Sequence, residues 1–318
     1  MTASDEGIFI VSGSASQKLT GAICKHLGVT PAKGETVRFS EGTLFVRVLE
    51  TVRGRRVYIV QSTSYPANDN FVELLFWIDA LKRAGASSVT VVMPYFSYAK
   101  GDKKDEPRVS IRGRVCADAI EIAGADRVIT MDLHAPQVQG FFRIPVDNLY
   151  ALPVICDKVK KEGLKDVVVV SPDVGFAKMA KWFASCLEAP LAVSYKERVD
   201  HNEAPGVFEV VGDVKGKTAL VVDDFTTSCG TLVEAAEKLI ERGAREVYAA
   251  VSHGLFGAAG SMEKLDKSPI KKLFITDTVE NQPVAFSKKI EVLSVAPLFA
   301  EAIRRIHTNE SVSSMFPH

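Results

Sequence analysis

The sequence predicts an α/β protein of two similar domains, each a mainly parallel sheet flanked by helices. Three observations predict it. Short, wholly apolar runs recur along the chain and alternate with segments of helical periodicity, the pattern of strands covered by helices on both faces. The length of 318 residues suits about two domains. One strand–loop–helix–strand unit occurs twice, with Arg83-Ala84-Gly85-Ala86 before the closing strand of the first copy and Glu241-Arg242-Gly243-Ala244 at the same point of the second.

In chain order the apolar runs are IFIV at 8–11, VYIV at 57–60, VTVVM at 89–93, RVITMD at 127–132, VVVVS at 167–171, TALVV at 218–222, VYAAV at 247–251, LFIT at 273–276 and IEVLS at 290–294. Each reads as a strand. Between the second and third lies a helix over 71–84 that is apolar on nearly every side, through Phe71, Leu74, Leu75, Phe76, Trp77, Ile78 and Leu81. Such a helix must be covered all round, either by its own domain or by a second subunit. The domains are expected at 1–148 and 149–318, with the last segment packing back on the first domain.

Composition narrows the function. Hydrophobic residues make up 47% and charged residues 25%, an ordinary mix for a soluble enzyme and too apolar for a disordered chain. Lys+Arg and Asp+Glu number 39 each, so no overall field draws the protein to nucleic acid or to an anionic membrane. Cys24, Cys116, Cys156, Cys186 and Cys229 form no CxxC pair, which speaks against a zinc site or a disulfide framework and for reduced thiols in the cytoplasm. The N-terminus lacks the basic start and apolar stretch of a secretory signal, and no run approaches the ~20 apolar residues of a membrane span.

The strongest motif is ALVVDDFTTSCGT at 219–231: an apolar strand, two acids, a short polar loop and a helix start. Backbone N–H groups of Thr227 to Thr231 at a helix N-terminus can hold a phosphate, and the hydroxyls of Thr227, Ser228 and Thr231 add donors. Asp223 and Asp224 at the strand end are acceptors suited to sugar hydroxyls or hydrated Mg²⁺. Gly230 permits close backbone approach. A capped helix after a strand would leave the same trace. Gly216-Lys217-Thr218 looks like the end of a P-loop, but it precedes its strand instead of following one, and it reads as a turn.

VVDDFTTSCGT resembles the phosphoribosyl diphosphate loop of type I phosphoribosyltransferases and of their relatives, the ribose-phosphate pyrophosphokinase family. The second of these is matched along essentially the whole chain. The matching segments include RFSEG at 38–42, TVRGRRVYIVQSTS at 51–64, PYFSYAKGDKK at 94–104, ITMDLHAPQVQGFF at 129–142, VVVSPDVG at 168–175 and ESVSSMF at 310–316. The resemblance implies two phosphoribosyltransferase-like domains and a Mg²⁺-dependent transfer of the β,γ-diphosphoryl group of ATP to O1 of ribose 5-phosphate. It also implies a homo-oligomer, a hexamer built from dimers, with no nucleic-acid or membrane partner.

The same resemblance assigns roles. Lys196 and Arg198, in a charged Pro/Gly-containing segment that reads as a mobile flap, are the catalytic cations, with Arg198 also reaching ribose 5-phosphate. His134 and Asp173, after the strands at 127–132 and 167–171, are metal ligands, and His134 also contacts ATP. Asp223, Asp224, Thr227, Ser228, Cys229, Gly230 and Thr231 bind ribose 5-phosphate. Phe39, Glu41, Gly42 and Thr43 form a hairpin that a neighbouring subunit lays against adenine, with Lys100, Gly101 and Asp105 near the nucleotide. Thr51, Arg53, Arg108, Ser311 and Ser313 resemble an allosteric phosphate site. The chain departs from the family pattern at Glu41, Thr43, Lys100, Gly101, Thr227 and Cys229. The thiol of Cys229, beside a helix N-terminus, is expected to have a lowered pKa and to be open to alkylation. Two other functions compete: a non-catalytic regulatory partner of such a synthetase, and a phosphoribosyltransferase that consumes the diphosphate.

Overall fold

The structure is a computed structural model that describes residues 7–196, 208–280 and 287–316. It divides into two compact units. One runs to Tyr150 and takes in the later segments that begin at Asp277 and Ser294. The other runs over Ala151–Thr276 and takes in the segment that ends at Leu293.

The first unit holds β1 (Phe9–Ser12), α1 (Gln17–Leu27), β2 (Gly34–Arg38), β3 (Leu44–Val48), β4 (Arg56–Val60), α2 (Ala67–Arg83), β5 (Ser88–Met93), α3 (Arg112–Ala123), β6 (Arg127–Met131) and β7 (Val146–Leu149). Its sheet is wholly parallel in the order β1-β4-β5-β6-β7, and β2 and β3 pair as a separate antiparallel hairpin. The alternation of the strands puts Val57, Ile59, Val89, Val91, Met93 and Val128 on one face, packed against Leu74, Trp77, Ile78 and Leu81 of α2 and Ala117 and Ile120 of α3. Each fully buried Leu or Ile there stabilises the unit by about 1.5–3 kcal/mol.

The second unit holds α4 (Leu152–Lys161), β8 (Val167–Ser171), α5 (Ala177–Leu187), β9 (Leu191–Lys196), β10 (Phe208–Val211), β11 (Thr218–Thr226), α6 (Gly230–Glu241), β12 (Glu246–Gly254), α7 (Ser261–Lys267), β13 (Ile270–Thr276) and β14 (Ile290–Leu293). Its sheet runs β10-β9-β8-β11-β12-β13-β14 and is parallel except where β10 meets β9. The last helix, α8 (Ala296–His307), returns to the first unit and packs on α1 with Phe299 and Ile303 fully buried.

The two sheets share one plan. In sheet order, β1, β4, β5, β6 and β7 correspond to β8, β11, β12, β13 and β14, and the β2–β3 hairpin sits in the chain where β9 and β10 sit. All nine apolar runs are strands. The other five strands among the described residues carry polar or half-exposed residues, so they lack the apolar signature. Helix α2 is not covered all round within the described residues, since Val72 and Phe76 stay exposed while Leu74, Trp77, Ile78 and Leu81 are buried. Gly216 and Lys217 form the turn before β11, with Gly216 left-handed and the Lys217 N–H bonded to the Val214 carbonyl.

Candidate functional site

Strand β11 is longer than its apolar run. It continues to Thr226, with Asp223 opposite Val251 and Thr226 opposite Gly254, so both acids are held by the sheet and not by a loop. The chain then reverses within Thr227–Cys229 and enters α6 at Gly230. Cys229 is the residue before that helix, and it adopts a left-handed conformation at φ +58. This tight reversal places successive backbone N–H groups at the positive end of α6, the geometry that favours an anion.

The loop's own hydroxyls hold it in shape. Thr226 Oγ1 accepts the Cys229 N–H at 3.0 Å, and Ser228 Oγ accepts the Gly230 N–H at 3.2 Å. The carbonyl of Thr226 accepts the Leu255 N–H at 2.9 Å, and the carbonyl of Thr227 accepts the Ser261 hydroxyl at 3.3 Å. Thr227 and Thr231 are exposed, Asp223 and Ser228 are half-buried, and Asp224 is buried. The structure therefore brings Asp223, Asp224, Thr227, Ser228, Gly230 and Thr231 to one edge of the second unit. Thr226 was missed by sequence reasoning. Its signal was a second threonine placed three residues before the residue that must turn left-handed.

Burial pushes the Asp223 carboxyl well above the usual carboxylate range, and the adjacent Asp224 and the charge of Asp173 add to the shift. Asp173 lies in the loop after β8, exposed, with Oδ1 accepting the Phe176 N–H at 2.9 Å. Among the described residues no group of three or more His, Cys, Asp or Glu is placed to hold a metal ion. The exposed carboxylate of Asp173 fits Mg²⁺ nonetheless, because Mg²⁺ is commonly held by one or two carboxylates with the remaining positions taken by water and substrate phosphates.

Cys229 corrects an expectation. Its side chain is fully buried and packs in the core with Leu232, Val233, Phe256 and Leu265. Burial raises its thiol pKa, outweighing the Thr226 hydrogen bond and the charge of Lys264. A helix N-terminus lowers a thiol pKa only where the thiolate can be solvated, and this one cannot. Its N–H is engaged by Thr226, so in this conformation Cys229 shapes the loop and does not present a donor.

In the first unit, Phe39, Glu41, Gly42 and Thr43 form the turn of the β2–β3 hairpin. The Phe39 N–H bonds the Thr43 carbonyl and the Gly42 N–H bonds the Phe39 carbonyl, both at 2.9 Å, with Gly42 left-handed at φ +94. Phe39 is 46% exposed, with its ring centroid 6.4 Å from that of Phe45. The Thr43 hydroxyl donates to Glu41 at 2.7 Å and, with the Glu41 backbone N–H, lowers the carboxylate's pKa. Gly101 is buried, and a Cβ there would lie 2.8 Å from Cβ and Nε of Arg112. Lys100 ends a short 3-10 turn and Asp105 is exposed. His134 is exposed after β6, in a turn pinned to β7 by the Asp132 N–H on the Leu149 carbonyl and the Leu133 N–H on Asn148 Oδ1.

Of the phosphate-site candidates, Ser311 and Ser313 meet, their hydroxyls 3.0 Å apart, while Thr51, Arg53 and Arg108 are exposed. Lys196 ends β9, where Phe208 of β10 pairs with it. Its side chain and the whole of Arg198 lie outside the described residues.

Comparison with known proteins agrees along the chain. The family model for the N-terminal domain of ribose phosphate pyrophosphokinase matches residues 8–124, and that for the phosphoribosyl synthetase-associated domain matches residues 201–317. A ribose-phosphate pyrophosphokinase of Caldanaerobacter subterraneus subsp. tengcongensis is 48% identical, over 96% of this chain and 97% of its own. One of Wolinella succinogenes is 46% identical, over 98% of this chain and 99% of its own. The crystal structure of phosphoribosylpyrophosphate synthetase from Mycobacterium smegmatis matches with a TM-score of 0.89 at 35% identity, over 96% of this chain and 100% of that one.

Proposed function

This chain belongs to the ribose-phosphate pyrophosphokinase family, whose enzymes make phosphoribosyl diphosphate from ATP and ribose 5-phosphate, and from that premise we propose how its residues divide the work. The 5-phosphate is held by the loop after β11, at the N-terminus of α6, with Thr227, Ser228 and Thr231 as hydroxyl donors. Asp223 and Asp224 accept from the ribose hydroxyls. A half-buried acid with a raised pKa gains from such donors, because each takes up a lone pair that burial has stripped of water.

In the reaction, O1 of the sugar attacks the β-phosphorus of ATP. The bond from that phosphorus to the α,β-bridging oxygen breaks, AMP leaves with the electron pair, and the O1 proton is released. Such a transfer needs positioning and charge stabilisation more than covalent chemistry. Lys196 and Arg198 are the cations that steady the moving diphosphoryl group. His134 and Asp173 are the residues that would hold Mg²⁺, which supplies charge neutralisation on the phosphate oxygens when bound. Phe39 stacks on the base, with Glu41, Gly42 and Thr43 shaping its turn and Lys100, Gly101 and Asp105 nearby. Assembly as a hexamer built from dimers belongs to the same reading and is supported by the exposed Phe39, Phe45, Val72 and Phe76. A cytoplasmic location belongs to it too. It is supported by the free cysteines, and no helix among the described residues is long and apolar enough to cross a membrane.

The observation that carries the proposal is the loop Thr226–Gly230 turned onto α6 beside Asp223 and Asp224. The test is incubation with ATP, Mg²⁺ and ribose 5-phosphate. AMP formed in step with phosphoribosyl diphosphate is the expected result. ADP in place of AMP, or no product while both substrates bind, would overturn it, and the second result would favour a regulatory partner.

A further inference from the structure

We infer that Glu73 is a positioning residue for nucleotide binding: with Asp69 and Trp77 it fastens the β2–β3 hairpin, and through it Phe39, onto helix α2. The inference rests on Phe39 as the base-stacking residue proposed above. Asp69, Glu73 and Trp77 stand four residues apart, one row along a helix, and repeat every ~6 Å. Gly34, Thr36 and Arg38 stand two apart on one side of β2 and repeat every ~6.7 Å. The two rows run in opposite directions at nearly one spacing, so three contacts fall into register. Arg38 Nη2 meets Asp69 Oδ2 at 2.5 Å, Thr36 Oγ1 donates to Glu73 Oε1 at 2.7 Å, and Gly34 lies so close to Trp77 that a Cβ there would stand 2.5 Å from Cη2.

Glu73 is the middle contact and the buried one, at 2% exposure. Besides Thr36, it accepts the Ser14 N–H at 2.9 Å, the Ser14 hydroxyl, Gln61 Nε2 at 3.1 Å and Trp77 Nε1 at 3.3 Å. A carboxylate this deep persists only when both oxygens are so supplied. Of these donors, Ser14 and Gln61 lie just past the ends of β1 and β4. In the corresponding place of the second unit, after β11, the chain forms the loop that receives a phosphate in our reading. The first unit thus fills its copy of that place with its own anion and uses it to anchor a hairpin.

Replacing Glu73 would strand several buried donors and unfold the unit along with the hairpin contact, so the test uses Thr36. In the full-length enzyme, Thr36→Val removes one bond to Glu73 and is expected to raise KM for ATP about tenfold, leaving KM for ribose 5-phosphate and kcat within about twofold. Thr36→Ser restores the hydroxyl and is expected to return KM for ATP to near the parent value. A Thr36→Val enzyme with the parent KM for ATP, or with both KM values raised alike, would overturn the inference. Phe39→Ala reports on the underlying reading by itself. An unchanged KM for ATP there removes the base-stacking role, whereas a raised KM there beside an unchanged Thr36→Val removes only the role of Glu73.

Discussion

The hydroxyl oxygen of Thr226, the last residue of β11, accepts the backbone N–H of Cys229, the residue before α6, at 3.0 Å. One side chain thereby sets the reversal that aims the loop's remaining N–H groups. Thr226→Val keeps the shape and loses the acceptor, and the hydroxyl makes this swap anything but neutral. It is expected to raise KM for ribose 5-phosphate about tenfold, ~1.4 kcal/mol, with KM for ATP little changed. Steady-state kinetics with each substrate varied in turn checks it.

Cys229 is expected to resist iodoacetamide in the native enzyme, because its thiol is buried and its pKa is raised. Mass spectrometry of the alkylated peptide, with and without denaturant, is the measurement. Fast native labelling of Cys229 would mean that the loop opens in solution.

Gly101→Ala is expected to destabilise the first unit by about 1–3 kcal/mol, the usual cost of overpacking. The new Cβ would fall 2.8 Å from Cβ of Arg112, an atom close to the α3 backbone that cannot swing aside. Urea unfolding of the two proteins compares them directly.

Glu301, in the middle of α8, accepts Arg304 Nε at 2.9 Å and Arg305 Nε at 2.6 Å, and these guanidinium groups hold its carboxyl down at about 2. A carboxyl with a depressed folded pKa stabilises the protein above its unfolded value of ~4.3, and that stabilisation is lost as pH falls towards 2. The side chain is 38% exposed, so solvent screens the pairs and the effect is small. Glu301→Gln is expected to cost about 0.5 kcal/mol at pH 7 and low salt, with the difference vanishing near pH 2. Denaturant midpoints across pH and salt measure it.

The parallel sheets were legible because a strand buried on both faces must be apolar throughout, as VVVV at 167–170 and VYIV at 57–60 are. The hairpin β2–β3 was legible only through family likeness. Its residues are half-buried or exposed throughout, and its partner is a helix row no periodicity in β2 announces. At the loop after β11, the acids and hydroxyls were readable as chemistry, but the direction of the Cys229 shift was not. The helix N-terminus that lowers a thiol pKa is written locally, while the burial that raises it comes from a core whose members, Phe256 and Leu265 among them, are spread along the sequence. Glu73 was hidden for a similar reason: in sequence it is one acid in an apolar helix.

The return of α8 to the first unit carries a consequence for synthesis. Ile23 of α1 and Phe299 and Ile303 of α8 are fully buried in the folded chain, yet more than 270 residues separate them. A ribosome releases the residues of α1 first and those of α8 among the last, so the first unit has all its strands long before it has its covering helix. The second unit's strands end at Leu293, before α8 begins, and it can close first. The order of completion is therefore the reverse of the order of translation, and a chain stalled near residue 295 would present α1 with its apolar face uncovered.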